Sequence, residues 1–302
     1  MVVDAHQALH LESLPQNPLI IGAGATGLEF ASFWAALGSN VTIIESGSQV
    51  LPGEEPRITS RLSASLQRAG IVVQTNAAVS SMAVRRNRVD VELADGTAIE
   101  PDLVLLAVGR SPTADETGLA ALGLTRRDGR VDINERYQSA INSVRAIGSC
   151  ATLGGQMGAS VEEATMVVDD LAGLNPGLVD YGSIPRMVRT SPEVAFVGLT
   201  AARTRSVFGG VITTSCESDP HPRVAQHPPS RLISVVTRSG GDITGVHVLG
   251  HDADMLAGLA SVVVRAHCTP KTALETPVMK LRIAKPLRDA LERSIAENRT
   301  AD

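Results

Sequence analysis

Aromatic side chains are scarce: one Trp, two Tyr and four Phe make up 2% of the 302 residues. Bases would find almost no surface to stack on, and a net charge of −5 gives no cationic field for a phosphate backbone. Both points argue against a nucleic-acid partner. Long apolar runs are missing too. The longest candidate, Met255–Val264, ends at Arg265 and His267, short of the ~18 residues that cross a bilayer. No membrane partner is expected. The opening MVVDAHQALHLESLP has no basic segment followed by an apolar block, so no secretory signal is expected. Cys150, Cys216 and Cys268 lie too far apart for C-x-x-C or C-x-x-x-x-C. An odd, sparse set fits a reducing cytoplasm and three ordinary buried thiols. The remaining composition is that of a globular protein long enough for two or three cores.

What is present is concentrated in residues 19–45, LIIGAGATGLEFASFWAALGSNVTIIE. Leu19–Ile21 is a short apolar strand, followed at once by G-x-G-x-x-G. Gly22 permits a tight turn, Gly24 lets the backbone approach a pyrophosphate, and Gly27 lets the next helix pack on the strand. That helix, read from about Ala25 to Leu37, aims its first N–H groups, at Ala25 and Thr26, and its positive dipole end at the phosphates. Val41–Ile44 is the second strand and ends in Glu45, ~20 residues past the glycines. A carboxylate there accepts hydrogen bonds from a ribose 2′-hydroxyl and repels a 2′-phosphate. Ser46, Gly47 and Ser48 supply no cation to hold that phosphate. The stretch reads as a dinucleotide site of NAD rather than NADP type; the choice between NAD(H) and FAD rests on the rest of the chain.

Residues 1–18 read as a lead-in closed by Pro15 and Pro18. After Glu45, Arg57–Ala69 carries Ile58, Leu62 and Leu66 at helical spacing, Gly70 caps it, and Ile71–Gln74 is the next parallel strand. A meander follows over Ala78–Val84, Arg88–Leu93, the turn Ala94-Asp95-Gly96-Thr97, and Asp102–Val108. These residues, 19–108, make a nucleotide domain. A second segment, 109–180, holds short strands at Val131–Ile133 and Val144–Ile147 and a helix at Ser160–Leu171. The last, 181–302, has strands near Glu193–Val197, Val211–Thr214, Leu232–Thr237 and Thr244–Leu249, then helices at Asp254–Arg265 and Pro286–Glu297. Strands followed by helices suggest α+β layering.

The order of these segments resembles the pyridine nucleotide-disulfide oxidoreductases, especially the dihydrolipoamide dehydrogenases. GAGATGLE, VLPGEEPRITSRLSASLQRAGIVV, LLAVGRSPT, IPRMVRTSPEVAFVGLT and GVHVLGHDADML carry the likeness in collinear order. The resemblance implies an α/β architecture: a Rossmann-like NAD-binding domain, the C-terminal part of a FAD-binding domain at 109–180, and an α+β dimerisation domain at 181–302. It implies NAD(H) at the glycine turn, FAD as a second cofactor, and a homodimer through the C-terminal domain. Gly109 marks the crossover between domains. Glu29 stands at the family's acidic position beside the nicotinamide; as an early-helix acid it is equally explained by the dipole.

The likeness also starts part-way into the family. Residues 1–18 cannot hold a βαβ unit of ~30 residues, so an N-terminal FAD-binding half with its own glycine motif and redox-active C-x-x-x-x-C is expected to be lacking, or to be supplied by a separate FAD-domain chain. Where the family has Ala-Ile-Gly-Asp, this sequence has Ala146-Ile147-Gly148-Ser149, with Gly148 and Ser149 at the flavin position. Near the C-terminus Ala284 or Lys285 stands where the family's His should, with Asp289 near its acid partner; His267 falls one element too early. Two readings follow. One is a dihydrolipoamide-dehydrogenase-like oxidoreductase part, truncated and not competent alone for disulfide reduction; the other is a catalytically degenerate NAD(H)-binding dimer with a sensing or interaction role. Val144–Ile147 is expected to expose an unpaired strand edge, leaving 109–180 less stable than the nucleotide domain.

Overall fold

The computed structural model describes residues 1–86, 88–112, 118–151, 157–218 and 231–298. They divide into two units, one made of Met1–Gly109 with Met187–Asp302 and the other of Arg110–Arg186.

In the first unit a parallel sheet is built from β1 (Val2–Val3), β2 (Pro18–Ile21), β3 (Thr42–Ile44), β4 (Val72–Gln74) and a last strand, β8 (Leu103–Leu106). Between β4 and β8 lie β5 (Val79–Val84), β6 (Val89–Leu93) and β7 (Ala98–Ile99), which form their own antiparallel sheet. The parallel sheet runs β1-β8-β2-β3-β4. Leu19 and Ile20 are fully buried, as a near-continuous apolar run requires of a central parallel strand. The connection from β2 through α2 (Ala25–Ala36) goes to β3 on one side, while β8 pairs on the other. The end of β2 is therefore a topological switch point, where open α/β sheets bind ligands. The lead-in supplies more than sequence pattern announces: Val2 and Val3 pair with Val104 and Leu105, and α1 (Ala5–Ala8) starts at a capping box of Asp4 and Gln7. Two valines are too few to show a period.

The second unit contains α4 (Met157–Leu171) and little regular sheet. The expected strands at Val131–Ile133 and Val144–Ile147 are not ladders: among the described residues they contribute only the isolated bridges Thr125–Val131 and Gln138–Arg145. Tight turns at Gly129 and at Tyr137, both in the left-handed region, leave no length over which strands could pair. Small clusters hold it together, Leu124 with Val131, and Tyr137 with Met166 and Val167.

The first unit also contains an antiparallel-rich sheet of β9 (Arg186–Val188), β10 (Val194–Gly198), β11 (Val211–Ser218), β12 (Arg231–Arg238) and β13 (Ile243–Leu249), in the order β11-β12-β13-β10-β9. α5 (Ala201–Phe208) follows β10, and α6 (Ala253–Arg265), α7 (Pro270–Glu275) and α8 (Lys285–Asn298) follow the strands. Alternation sets its two faces. Ala195, Val197, Ile233, Val235, Val246 and Val248 pack with Leu256 and Ala260 of α6 and Leu287 and Leu291 of α8. Val194, Phe196, Leu232 and Leu249 join the cluster that contains Ile58, Leu62 and Leu66 of α3 (Pro56–Arg68). The stripe on α3 thus packs into one core with both sheets. The chain has a mixed α/β fold.

Candidate functional site

The end of β2 turns sharply because Gly22 adopts φ +105°. Its N–H donates to the Ile44 carbonyl at 2.8 Å, and a Cβ there would lie 2.5 Å from the Ala107 carbonyl oxygen. Gly27 is needed for a different reason: its Cβ would come within 2.1 Å of the Gly22 carbonyl oxygen and 3.2 Å of Ile20 Cγ2. Gly24 is crowded by nothing, since no atom lies within 4 Å of an added Cβ. It is the N-cap of α2, in extended backbone, and makes no side-chain capping bond. The first-turn amides of α2, from Ala25 and Thr26 onward, therefore have no capping side chain in front of them.

A cleft of about 520 Å³ opens there. Gly22, Gly24, Glu45 and Gly109 line it, together with Pro52 and the small apolar run Ala77–Val79. Glu45 is buried, and its carboxylate accepts the Ala23 N–H on Oε2 at 2.8 Å and the Gly47 N–H on Oε1 at 2.7 Å. The acid at the end of β3 thus faces the cleft and braces the glycine turn. Sequence pattern points to the acid; it gives no sign of the brace, which depends on where the loop after β3 folds back.

Glu29 is not among the residues lining the cleft. It sits on α2 and its Oε1 accepts the Arg189 N–H at 2.8 Å, while Ser32 Oγ accepts the Ser191 N–H at 3.4 Å. The side chain ties α2 to the segment between β9 and β10. Gly148 and Ser149 lie in the second unit. Gly148, at φ +72°, donates its N–H to the buried Glu163 carboxylate at 2.5 Å, whose other oxygen accepts the Tyr181 hydroxyl at 2.7 Å. Ser149 is exposed. Pro52 and Ala77–Val79 went unsignalled in the sequence, because small apolar residues in connections carry no motif.

The C-terminal positions singled out in the sequence are Ala284, Lys285, Asp289 and His267. Ala284 is fully buried, and Lys285 is ion-paired with Asp289 on the next turn of α8. His267 is exposed, in the left-handed conformation two residues past α6, with its N–H on the Val264 carbonyl. Cys150, Cys216 and Cys268 are free and partly buried, and burial pushes the Cys216 thiol up. Among the described residues no cluster of His, Cys, Asp and Glu could hold a metal, and no helix is long and apolar enough to cross a membrane.

Residues 1–167 match the family model described as pyridine nucleotide-disulphide oxidoreductase, and residues 184–288 match the dimerisation domain of the same family. A dihydrolipoyl dehydrogenase of Chlorobaculum tepidum is 29% identical over 297 residues, 96% of this chain and 63% of its own length. One of Bacillus subtilis is 30% identical over 283 residues, 86% of this chain and 57% of its own. The chain thus spans less than two thirds of these relatives. Two solved structures share the fold: LpdA of Mycobacterium tuberculosis, with a TM-score of 0.84 and 21% identity over 97% of this chain and 64% of that one, and the HOCl-induced flavoprotein disulfide reductase RclA of Escherichia coli, determined as a Cu(II) complex, with 0.87 and 23% over 97% and 67%. A match over more than half the chain, in the same order as the glycine turn and the C-terminal sheet, makes this protein a member of the pyridine nucleotide-disulphide oxidoreductase family.

Proposed function

We propose that this chain binds NAD(H) in the cleft at the end of β2 and acts as the pyridine-nucleotide and dimerisation part of a dihydrolipoyl-dehydrogenase-like flavoprotein. The observation that carries the reading is the meeting, in one cleft, of an uncrowded Gly24, an uncapped helix N-terminus and the Glu45 carboxylate. The first-turn amides of α2 would hold the pyrophosphate. Each Glu45 oxygen has two acceptor sites; Oε1 accepts from the Gly47 N–H and the Ser46 hydroxyl, while Oε2, with the Ala23 N–H, keeps capacity for a ribose hydroxyl. A 2′-phosphate would meet a carboxylate with no cation in Ser46–Ser48. When bound, the nicotinamide supplies a hydride donor or acceptor and a flavin an electron relay. Gly148 and Ser149 are this chain's candidates for flavin contact. Cys150, Cys216 and Cys268 are free and far apart in sequence, so the role proposed for residues 1–302 is nucleotide binding; complete disulfide reduction would need a flavin and a dithiol from outside them, for which a separate FAD-domain chain is one source.

The second reading, a nucleotide-binding dimer without redox chemistry, is supported by the burial of Ala284 and the pairing of Lys285 with Asp289, at the positions where the sequence resemblance implies the family's His and its acid partner. An absorbance spectrum and a titration separate the two. A yellow preparation that binds NADH supports the oxidoreductase part. A colourless one that binds NADH in preference to NADPH supports the second reading, and no heat with NADH or NAD⁺ removes both. The C-terminal domain is expected to dimerise through an interface above ~2,000 Å²; a monomer in sedimentation would remove that part.

A further inference from the structure

Glu55 is 5% exposed and lies immediately before α3, yet its partner is in the C-terminal module: Oε2 accepts the Ala201 N–H at 2.9 Å. Ala201 is the first residue of α5, and that end of α5 is itself fixed. Thr200 caps it, and the Leu199 N–H donates to the Thr244 carbonyl at 2.8 Å. On the other side of Glu55, the loop that lines the cleft is under strain. Leu51 is 5% exposed and holds φ +48°, a left-handed conformation costly for a bulky side chain. Its N–H donates to the Ala23 carbonyl at 2.9 Å, next to the glycine turn, and its neighbour Pro52 forms part of the cleft wall. Such a conformation persists only when its surroundings hold it. Gln49 Nε2 bonds the Leu51 and Glu54 carbonyls within the loop; Leu51 ties its near end to the glycine turn, and Glu55 ties its far end to α5.

We propose that Glu55 is a positioning residue for the dinucleotide cleft: by accepting the Ala201 amide it anchors the far end of the Leu51–Glu55 loop, so that the C-terminal module sets where Pro52 stands in the cleft wall. The inference rests on the cleft being the nucleotide site proposed above. The bond can be cut from either end. Glu55→Ala removes the acceptor. Ala201→Pro removes the donor at the first helical position, where proline is tolerated, and Thr200 at φ −68°, ψ 163° already has the extended backbone that a following proline requires. Glu55→Gln keeps a carbonyl oxygen at the same reach.

Hydrogen exchange of the full chain and NADH titration are read together. Both cutting variants are expected to speed exchange of the Leu51 amide at least about tenfold, to leave the amides of Leu19–Ile21 protected, and to weaken NADH about five- to tenfold. Glu55→Gln should stay within about twofold of wild type on both readouts. Leu51 protection unchanged in the cutting variants overturns the assignment, as does unchanged NADH affinity alongside a deprotected Leu51. If Glu55→Ala does not fold, Ala201→Pro decides. A wild type that binds no NADH refutes the nucleotide reading of the cleft, while Leu51 exchange still tests whether Glu55 holds the wall.

Discussion

Gly24 and Gly27 are three residues apart and carry opposite expectations. A methyl on Gly24 meets nothing within 4 Å, so Gly24→Ala should change stability by no more than about 0.5 kcal/mol. It would nonetheless stand where a pyrophosphate must approach, and NADH affinity should fall at least about tenfold. A methyl on Gly27 would lie 2.1 Å from the Gly22 carbonyl oxygen. Gly27→Ala should therefore cost about 1–3 kcal/mol or more and lose binding with stability. Thermal melts beside NADH titrations check the pair; equal melting losses would mean that the open space at Gly24 is not real. Glu45→Ala removes the acceptor of two backbone amides, at Ala23 and Gly47. It should lower stability by about 1–3 kcal/mol, weaken NADH, and leave NADPH binding spared or improved. Unchanged selectivity would count against Glu45 as the ribose ligand. The motif makes the identity of these residues readable. The brace from Glu45, the strap from Glu29 to Arg189 and the strain at Leu51 were not readable, because each is a tertiary contact with a backbone group that carries no sequence signature.

At the scale of elements, what pattern predicts well is what is long and regular. The glycine helix, α3 and the C-terminal strands fall within a few residues of where apolar spacing and Gly turns place them. The meander is right in its first two strands only: Gly96 at φ +85° turns β6 into the short β7, while the expected third strand at Asp102–Val108 is β8, which joins the parallel sheet beside β2. The segment 110–186 is where period fails. Val131–Ile133 and Val144–Ile147 alternate like strands, but turns between them prevent a ladder. Much of its order comes from side chains, Arg136 and Arg145 on Asp170, and Glu163 with Tyr181 and Tyr137. With so few backbone ladders, its amides are expected to exchange faster than those of β2, β3 and β8; equal protection would contradict this. The tyrosines add a pH signature. Burial, then hydrogen bonds to Tyr137 and Glu163, push the Tyr181 hydroxyl well above the ordinary phenol value, and burial raises Tyr137 too. The folded state thus keeps protons that the unfolded chain releases near pH ~10. Their contribution is intact below that pH and is lost as the pH rises past it. Near-UV circular dichroism should show an alkaline loss of structure beginning above about pH 10, and Tyr181→Phe should flatten that step.

For the whole molecule the informative element is α3. Its stripe of Ile58, Leu62 and Leu66 is plain in the sequence, which says that a face is buried without saying by what. The structure fills that face with Val194, Phe196, Leu232 and Leu249 of the C-terminal sheet in the same cluster as Ile20, Leu28 and Ile43 of the nucleotide sheet. Arg61 adds an ion pair to Glu217, 3.6 Å apart and exposed enough to count for little. The apolar contact, not the charge pair, is what joins the modules. A single cavity in it should therefore be felt on both sides. Leu62 is fully buried, and Leu62→Ala is expected to cost about 2–5 kcal/mol. In native-state hydrogen exchange of the full chain, the amides of β2 and of β13 should lose protection together and by similar free energies, because both sheets lean on the same side chain. Loss confined to β2, with β13 unmoved, would mean that α3 belongs to the nucleotide module alone. The cluster shared across the sheets would then not be a cooperative core, and a C-terminal module that unfolds independently could not set the geometry of the nucleotide cleft through Glu55.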